Sequence, residues 1–268
     1  MSKRTNKPFQ AIKRTDDYKK FYTMFADAIK SQADWTSKNL DKLFQSAGVE
    51  DDLEPLTLEQ IAKIKGQLVR DMPGMDSFVT VYNTFESLKS FFEFNAKYQY
   101  RRWGYMVKAT GMEFELTNPK YINALKKRAD YLLNQSSLDQ TTRDQIIDEI
   151  MDGKLNGLTN AEVASILSDN FDEISQARAD MIARTEASNA AGSANYATMV
   201  ENGVKTKSWV TAGSKPCEIC IGNESDGEIP LDQPFSSGDM NEPAHPNDEC
   251  YTEAGEIPLD NISIWDGS

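Results

Sequence analysis

Apolar residues recur at intervals of three and four through most of the first two hundred positions, and that spacing predicts helices. The clearest run opens near Asp76 and sets Phe78, Tyr82, Phe85, Leu88 and Phe92 on one face, continuing toward Tyr98 and Trp103. Aromatics at this spacing are core positions far more often than base-stacking platforms. Ahead of it, Thr57 with Gln60 three residues on is a capping-box pattern, opening a helix that Pro73-Gly74 must close. After Arg101-Arg102 the pattern softens; Glu113-Phe-Glu-Leu116 alternates as a short strand would. Asn118-Pro119 then starts a helix through Leu125 and Tyr131. The polar stretch Asn134 to Thr142 separates it from a helix bearing Ile146, Ile147 and Ile150, which is expected to end at Gly153.

Thr159 and Glu162 form a second capping box, followed by Val163, Ile166 and Leu167 on one face. This short helix has the composition of the first helix of a helix-turn-helix. The DNA-reading helix would then begin Asp169-Asn-Phe-Asp-Glu, whose carboxylates repel phosphates, so a plain helical hairpin is the expectation. A long helix is predicted from about Asp172 toward Met199. Its small residues, among them Ala183, Ala187, Ala191 and Gly192, let another element pack closely, and Asn202-Gly203 ends it. The character then changes to β-type Lys207-Ser-Trp209-Val-Thr211 and turn-rich, proline-punctuated segments. No fixed-period repeat is visible; Ile229 to Asp232 and Ile257 to Asp260 are a local echo.

The predicted fold class is α+β and predominantly α-helical, a helical N-terminal lobe with a smaller mixed, loop-rich C-terminal module. Three segments are expected: 1–110, helical with a basic N-terminal arm; 111–200, also helical; and 201–268, the mixed module. At 268 residues, with 39% hydrophobic and 26% charged, the chain has the balance of a soluble globular protein of one or two domains. No apolar run approaches the roughly 18 to 20 residues of a spanning helix, and the N-terminus lacks a signal-peptide apolar region. Residence in the cytosol, without a membrane partner, is therefore expected.

The net charge of −13 opposes non-specific attachment to DNA, which depends on cations displacing counterions. It is unevenly spread: residues 1–30 hold eight Lys/Arg against three Asp, and residues 201–268 hold three Lys against fourteen Asp/Glu. A basic arm, Lys3 to Lys20, is thus a candidate for weak contact with DNA or an acidic partner; two solvated faces explain the same counts.

All three cysteines and the one histidine fall within Cys217 to Cys250. Cys217-x2-Cys220 can fill two adjacent corners of a tetrahedron around a soft divalent ion, zinc first among them, and His245 and Cys250 can supply the other two. Four such ligands leave no open corner, so the site would be structural. The alternative is reduced, partly buried thiols beside an ordinary hydrogen-bonding His245, with Asp248 and Glu249 as competing hard ligands or surface charges. A disulfide suits neither reducing cytosol nor an odd count of three. A nucleophilic thiol activated by His245 lacks a recognisable oxyanion hole, and a thioredoxin-type motif would want a helix where Ile221-Gly-Asn-Glu-Ser-Asp-Gly reads as a turn.

Taken in order, Ile182-Ala-Arg184-Thr185-Glu186, Trp209-Val-Thr211-Ala-Gly213, Cys217-x2-Cys220, Gly227-Glu-Ile-Pro-Leu-Asp232 with Phe235, and Pro243-Ala-His245-Pro-Asn-x-x-Cys250 resemble the phage Mu F-like head morphogenesis proteins. The resemblance covers about residues 110 to 255. It implies a minor capsid protein of a tailed bacteriophage, acting in procapsid assembly beside portal, scaffold and capsid proteins, resident in the virion and, during assembly, in the host cytoplasm. The chain departs from the family pattern at Ser214, where an Asp is frequent, and at Asp248, which stands where the first Cys of a His-Pro-x-Cys-x-Cys ending would be. Either His245 and Cys250 complete the metal site, or packing alone holds the loop. The family's C-terminal module is thought to resemble the ADP-ribosyltransferase fold. That implies an enzymatic alternative in which Arg184 and Glu186 bind NAD; the two lie two apart on a helix and share no face, so the expectation is an Arg–carboxylate pair with some other element and no catalytic residues.

Overall fold

Thr57 and Thr159 each open a helix by the exchange expected of a capping box. Thr57 Oγ1 accepts the Gln60 N–H at 3.3 Å while Gln60 Oε1 accepts the Thr57 N–H at 2.8 Å; Thr159 and Glu162 repeat this at 3.3 and 2.9 Å. The computed structural model describes residues 11–49, 53–107, 119–135, 138–213 and 215–255. In chain order it holds helices α1 (Asp16–Ala47), α2 (Leu58–Asp71), α3 (Val81–Val107), α4 (Pro119–Asp130), α5 (Leu138–Leu155) and α6 (Asn160–Glu201), then strand β1 (Thr206–Val210), helix α7 (Glu218–Ser225) and strands β2 (Glu228–Pro230) and β3 (Tyr251–Ala254). The fold is predominantly helical α+β, as expected. The Glu113–Leu116 strand, the basic arm as far as Gln10, Ser214 and the second Ile-Pro-Leu-Asp run lie outside the described residues. Among the described residues, no helix is long and apolar enough to cross a membrane.

Three predicted boundaries move, each for a local reason. The aromatic helix starts at Val81, where Thr80 Oγ1 accepts the Asn83 N–H at 3.1 Å; Met75–Ser77 before it is a 3-10 turn. Phe78 and Tyr82 are therefore 41% and 69% exposed, and the buried face is Leu88, Phe91 and Phe92. Gly153 does not end α5. It lies against α6, where an added Cβ would fall 2.7 Å from Val163 Cγ2. Gly157, at φ +72, closes the helix instead: its N–H reaches the Lys154 carbonyl, and the Leu158 N–H reaches that of Gly153. Finally, α6 is one helix of 42 residues and not a hairpin. No Gly or Pro interrupts Leu167 to Phe171, and Val163, Leu167, Phe171, Ser175 and Ala179 keep a four-residue rhythm of burial across it. The chain thus has no second helix there to read DNA.

Contacts divide the chain into two compact units, each assembled from separated segments. One comprises Tyr22–Thr84 and Lys126–Asp180, the other Met1–Phe21, Phe85–Leu125 and Met181–Ser268. The expected segments were contiguous; these units interleave because α1, α3, α4 and α6 each run on from one into the other. The first, helical unit is built on Phe25, Ile29, Leu40, Ile64, Ile146 and Phe171, all fully buried. Polar groups fix its register: Asp139 Oδ1 accepts from Gln32 Nε2 at 2.7 Å and from the Met75 N–H at 3.0 Å. The second unit sets Phe91 against Tyr18 and Phe21, with ring centroids 6.1 and 5.4 Å apart.

Gly203, at φ +68, ends α6, sending the Val204 N–H back to the Met199 carbonyl at 3.0 Å. The chain then enters a three-stranded antiparallel sheet of order β2-β1-β3, pairing Lys207 with Ile229 and Trp209 with Thr252. This sheet and the loops that follow it position the Cys/His stretch.

Candidate metal centre

A small core seats the cysteines. Trp209 and Phe235 meet edge to face with centroids 5.2 Å apart, and buried Cys220 and Cys250 pack into the same cluster, with Cys217, Ile229 and Ala244 around it. Aromatic packing thus brings sequence-distant thiols together. Cys217 caps α7, its Sγ accepting the Cys220 N–H at 3.4 Å. The segment read as a turn after Cys220 is therefore helical to Ser225, closed by Gly227 at φ +68. A strand does precede and a helix does follow the Cys-x2-Cys, so the ground for setting aside thiol chemistry on secondary structure falls away. What separates the two chemistries is the histidine.

His245 Nε2 lies 3.1 Å from Cys217 Sγ and 3.4 Å from Cys220 Sγ, while its Nδ1 is 2.9 Å from the Pro246 carbonyl oxygen. A carbonyl only accepts, so Nδ1 carries a proton, and in the neutral ring Nε2 turns a lone pair toward both sulfurs. That is the arrangement by which proteins present imidazole to a metal. Asp248, 2% exposed, sets Oδ1 at 3.6 Å from Cys220 Sγ. Its oxygens also accept the Cys250 N–H at 2.8 Å and the Ala244 N–H at 2.9 Å, which closes the loop around it. With zinc–sulfur bonds of about 2.3 Å and zinc–nitrogen or zinc–oxygen bonds of about 2.0–2.2 Å, tetrahedral edges come to about 3.5–3.8 Å. The 3.4 and 3.6 Å separations match those edges, and the 3.1 Å between Cys217 Sγ and His245 Nε2 is a hydrogen-bond distance that would open by a few tenths of an ångström around an ion.

Among the described residues, donor atoms within 4.8 Å of one another form two sets of three, Cys217, Cys220 and His245, and Cys220, Asp248 and Cys250. Three of the four expected ligands converge directly. The fourth, Cys250, reaches the centre through Cys220 and beside Asp248, which is neither a surface charge nor a bystander. Glu249, the other suspected competitor, instead accepts a hydrogen bond from Arg184.

The thiols divide electrostatically. Burial opposes ionisation of Cys217, but the Cys220 amide and thiol and the nearby imidazole outweigh it and hold Cys217 below the ordinary thiol range. Burial, reinforced by the Asp248 charge, drives Cys220 well above that range. Burial also pushes Cys250 up to about 12, again with Asp248 adding to the effect. His245 is raised: burial pulls it down, but the Pro246 carbonyl and the charges of Asp248 and Cys217 prevail. Several thiolates and a carboxylate cannot share this space as anions by themselves, and a bound dication is what would let them. These Cys, His and Asp groups could hold a metal ion.

Two further buried charges escaped the sequence reading. Lys207 Nζ donates to the Met240 carbonyl at 2.6 Å and lies 5.2 and 5.0 Å from the Tyr196 and Phe235 ring centroids; burial lowers it to about 8. Glu242 accepts from the Thr252 N–H at 3.0 Å and the Thr252 hydroxyl at 2.8 Å, and burial raises it to about 7. The strand alternation that turns Trp209 inward also turns Lys207 inward, which was the available signal. No protein-family model, curated protein or solved structure matches this chain, so the reading of the centre rests on these residues themselves.

Proposed function

We propose that this chain is a minor structural protein of a tailed-bacteriophage head, acting in procapsid assembly through contacts with portal, scaffold or capsid proteins, and that its C-terminal module is stapled by a structural zinc ion. The observation that carries the zinc reading is His245, its Nδ1 on the Pro246 carbonyl and its Nε2 facing two thiols. Cys217, Cys220 and His245 would hold three corners, and Cys250 or Asp248, which group with Cys220, would move in to take the fourth. A site so filled leaves no corner for substrate, which favours a structural over a catalytic ion. The head-protein reading is supported by the ordered motifs from Ile182 to Cys250, whose Trp209, Phe235 and cysteines share one core. In this reading Arg184 and Glu186 serve packing and not NAD: Arg184 pairs with Glu249, and Glu186 is 2% exposed.

Deletion of the gene should block a discrete step of head assembly or infectivity, with the protein co-purifying with procapsids from the complemented strain. Normal, fully infectious particles without it would overturn the head reading. For the ion, protein purified without added metal should carry about one zinc per chain, lost in Cys217→Ser.

A further inference from the structure

Some sixty residues before the ligand loop, the Arg184-Thr185-Glu186 stretch of α6 holds that loop directly. Arg184 Nη2 donates to Glu249 Oε1, and Thr185 Oγ1 accepts the Asn247 N–H at 3.0 Å. Asn247 is the one non-glycine residue at positive φ among the described residues, at 63°, so this bond steadies the loop where its backbone is least at ease. Asn247 and Glu249 flank Asp248, and His245 and Cys250 sit on either side of them. Two turns along α6, Gly192 admits the Glu242 carbonyl so closely that an added Cβ would stand 2.1 Å from its oxygen. Asn195 Nδ2 then donates to the Thr252 carbonyl at 2.8 Å and the Thr252 hydroxyl at 3.0 Å. Positions 185, 192 and 195 share one face of the helix. The ligand-bearing segment is therefore laid along a single strip of α6, from Glu242 to Thr252.

We infer that this strip and the metal centre are energetically coupled: docking of the loop on α6 raises affinity for the ion, and the ion tightens the docking. The inference rests on the metal reading above. Its physical basis is loop order. An ion that must gather His245 and its neighbours from a mobile loop loses affinity to the ordering of that loop, and a loop already held at Asn247 and Glu249 avoids part of the cost. Groups that orient metal ligands are worth about 10- to 100-fold in affinity when removed. Linkage then requires the reverse effect, with the ion protecting the helix that holds its loop.

The test measures Zn(II) affinity by chelator competition on the full chain for wild type, Arg184→Ala, Arg184→Lys and Thr185→Val, with stability measured in excess chelator alongside. Amide exchange across α6 is compared in metal-loaded and metal-free wild type. Coupling predicts about a 10- to 100-fold loss of affinity in Arg184→Ala and Thr185→Val, partial recovery in Arg184→Lys, little change in metal-free stability, and faster exchange over Ala183–Tyr196 once the ion is removed. Variants that lose stability equally with and without metal, at unchanged affinity, would make the strip ordinary packing and overturn the coupling. So would α6 protection in wild type that ignores the ion, a readout that does not depend on any variant folding. A wild-type chain that takes up no zinc at all would bring down the metal reading itself, which is a distinct result.

Discussion

The helical unit and the sheet-and-loop module after Gly203 solve the same problem with different materials. The first buries Phe25, Ile29, Ile64, Ile146 and Phe171, aliphatic and aromatic side chains spaced at helical intervals. The second has Trp209 and Phe235 as its large buried groups and completes its core with two cysteines, two buried carboxylates and a buried lysine. A core of the first kind follows from water leaving apolar surface, and the cations it does bury, Lys154 and Arg178, donate to the Leu158 and Leu138 carbonyls, so it needs no added component. In the second, polar and ionisable groups must find partners, because a buried charge without one costs several kcal/mol. The lesson is conditional stability: one region should stand by itself, and the other should depend on what fills its centre.

Removing the proposed ion is the strongest way to break the comparison. Chelation should speed amide exchange across Thr206–Ala254 by orders of magnitude while leaving α1 and α2 unchanged, since structural zinc stabilises small folds by as much as about 10 to 16 kcal/mol. Uniform exchange before and after would show that Trp209 and Phe235 suffice. The reciprocal cut is Phe25→Ala. A fully buried ring lost from the helical unit should cost about 3 to 5 kcal/mol, read from urea unfolding followed by far-UV ellipticity. A loss under about 1 kcal/mol would mean that unit does not rely on its apolar core.

Glu242 sharpens the contrast through pH. Its folded-state pKa of about 7 stands above the ordinary 4.5, so between those values the folded chain keeps a proton that the unfolded chain has released. Stability from this group is therefore present below about pH 4.5 and falls as pH rises through 7, by something on the order of a few kcal/mol. Glu242→Gln keeps an acceptor for Thr252 and removes the charge. The stability of the variant relative to wild type, both in excess chelator, should rise from pH 5 to about pH 7 and then level off. A pH-independent difference would mean the carboxyl titrates as in water.

The same contrast governs what the sequence could disclose. Helical periodicity and capping boxes revealed the helical unit well, because Thr57, Thr159 and the isoleucines act within one turn of themselves. Its errors were local too: Gly153 looks like a stop until Val163 is known to press on it, and Asp169-Asn170 looks like a break until Leu167 and Phe171 are seen sharing a face. In the C-terminal module the candidate ligand residues were legible as a set, since no other Cys or His is present in the chain. The inward Asp248 and the Glu242–Thr252 bond were not, and an Arg184–carboxylate pair was expected without its partner, Glu249. Each joins positions far apart in the chain, or depends on which way a loop turns, and neither is written in spacing.

The smallest effect compares one device used in both regions. Thr159 caps α6 with an oxygen, and Cys217 caps α7 with a sulfur. Thr159→Ala should cost about 1 kcal/mol, as loss of an N-cap usually does, and Thr159→Ser almost nothing. Cys217→Ser in metal-free protein should not weaken α7 at all, because a serine hydroxyl is a better cap than a thiol. Whatever Cys217→Ser takes from the metal-loaded protein beyond its effect on the metal-free one is thus owed to the ion and not to the helix start. Equal losses in the two states would instead make Cys217 a cap and nothing more, and the two regions would differ in composition without differing in what holds them together.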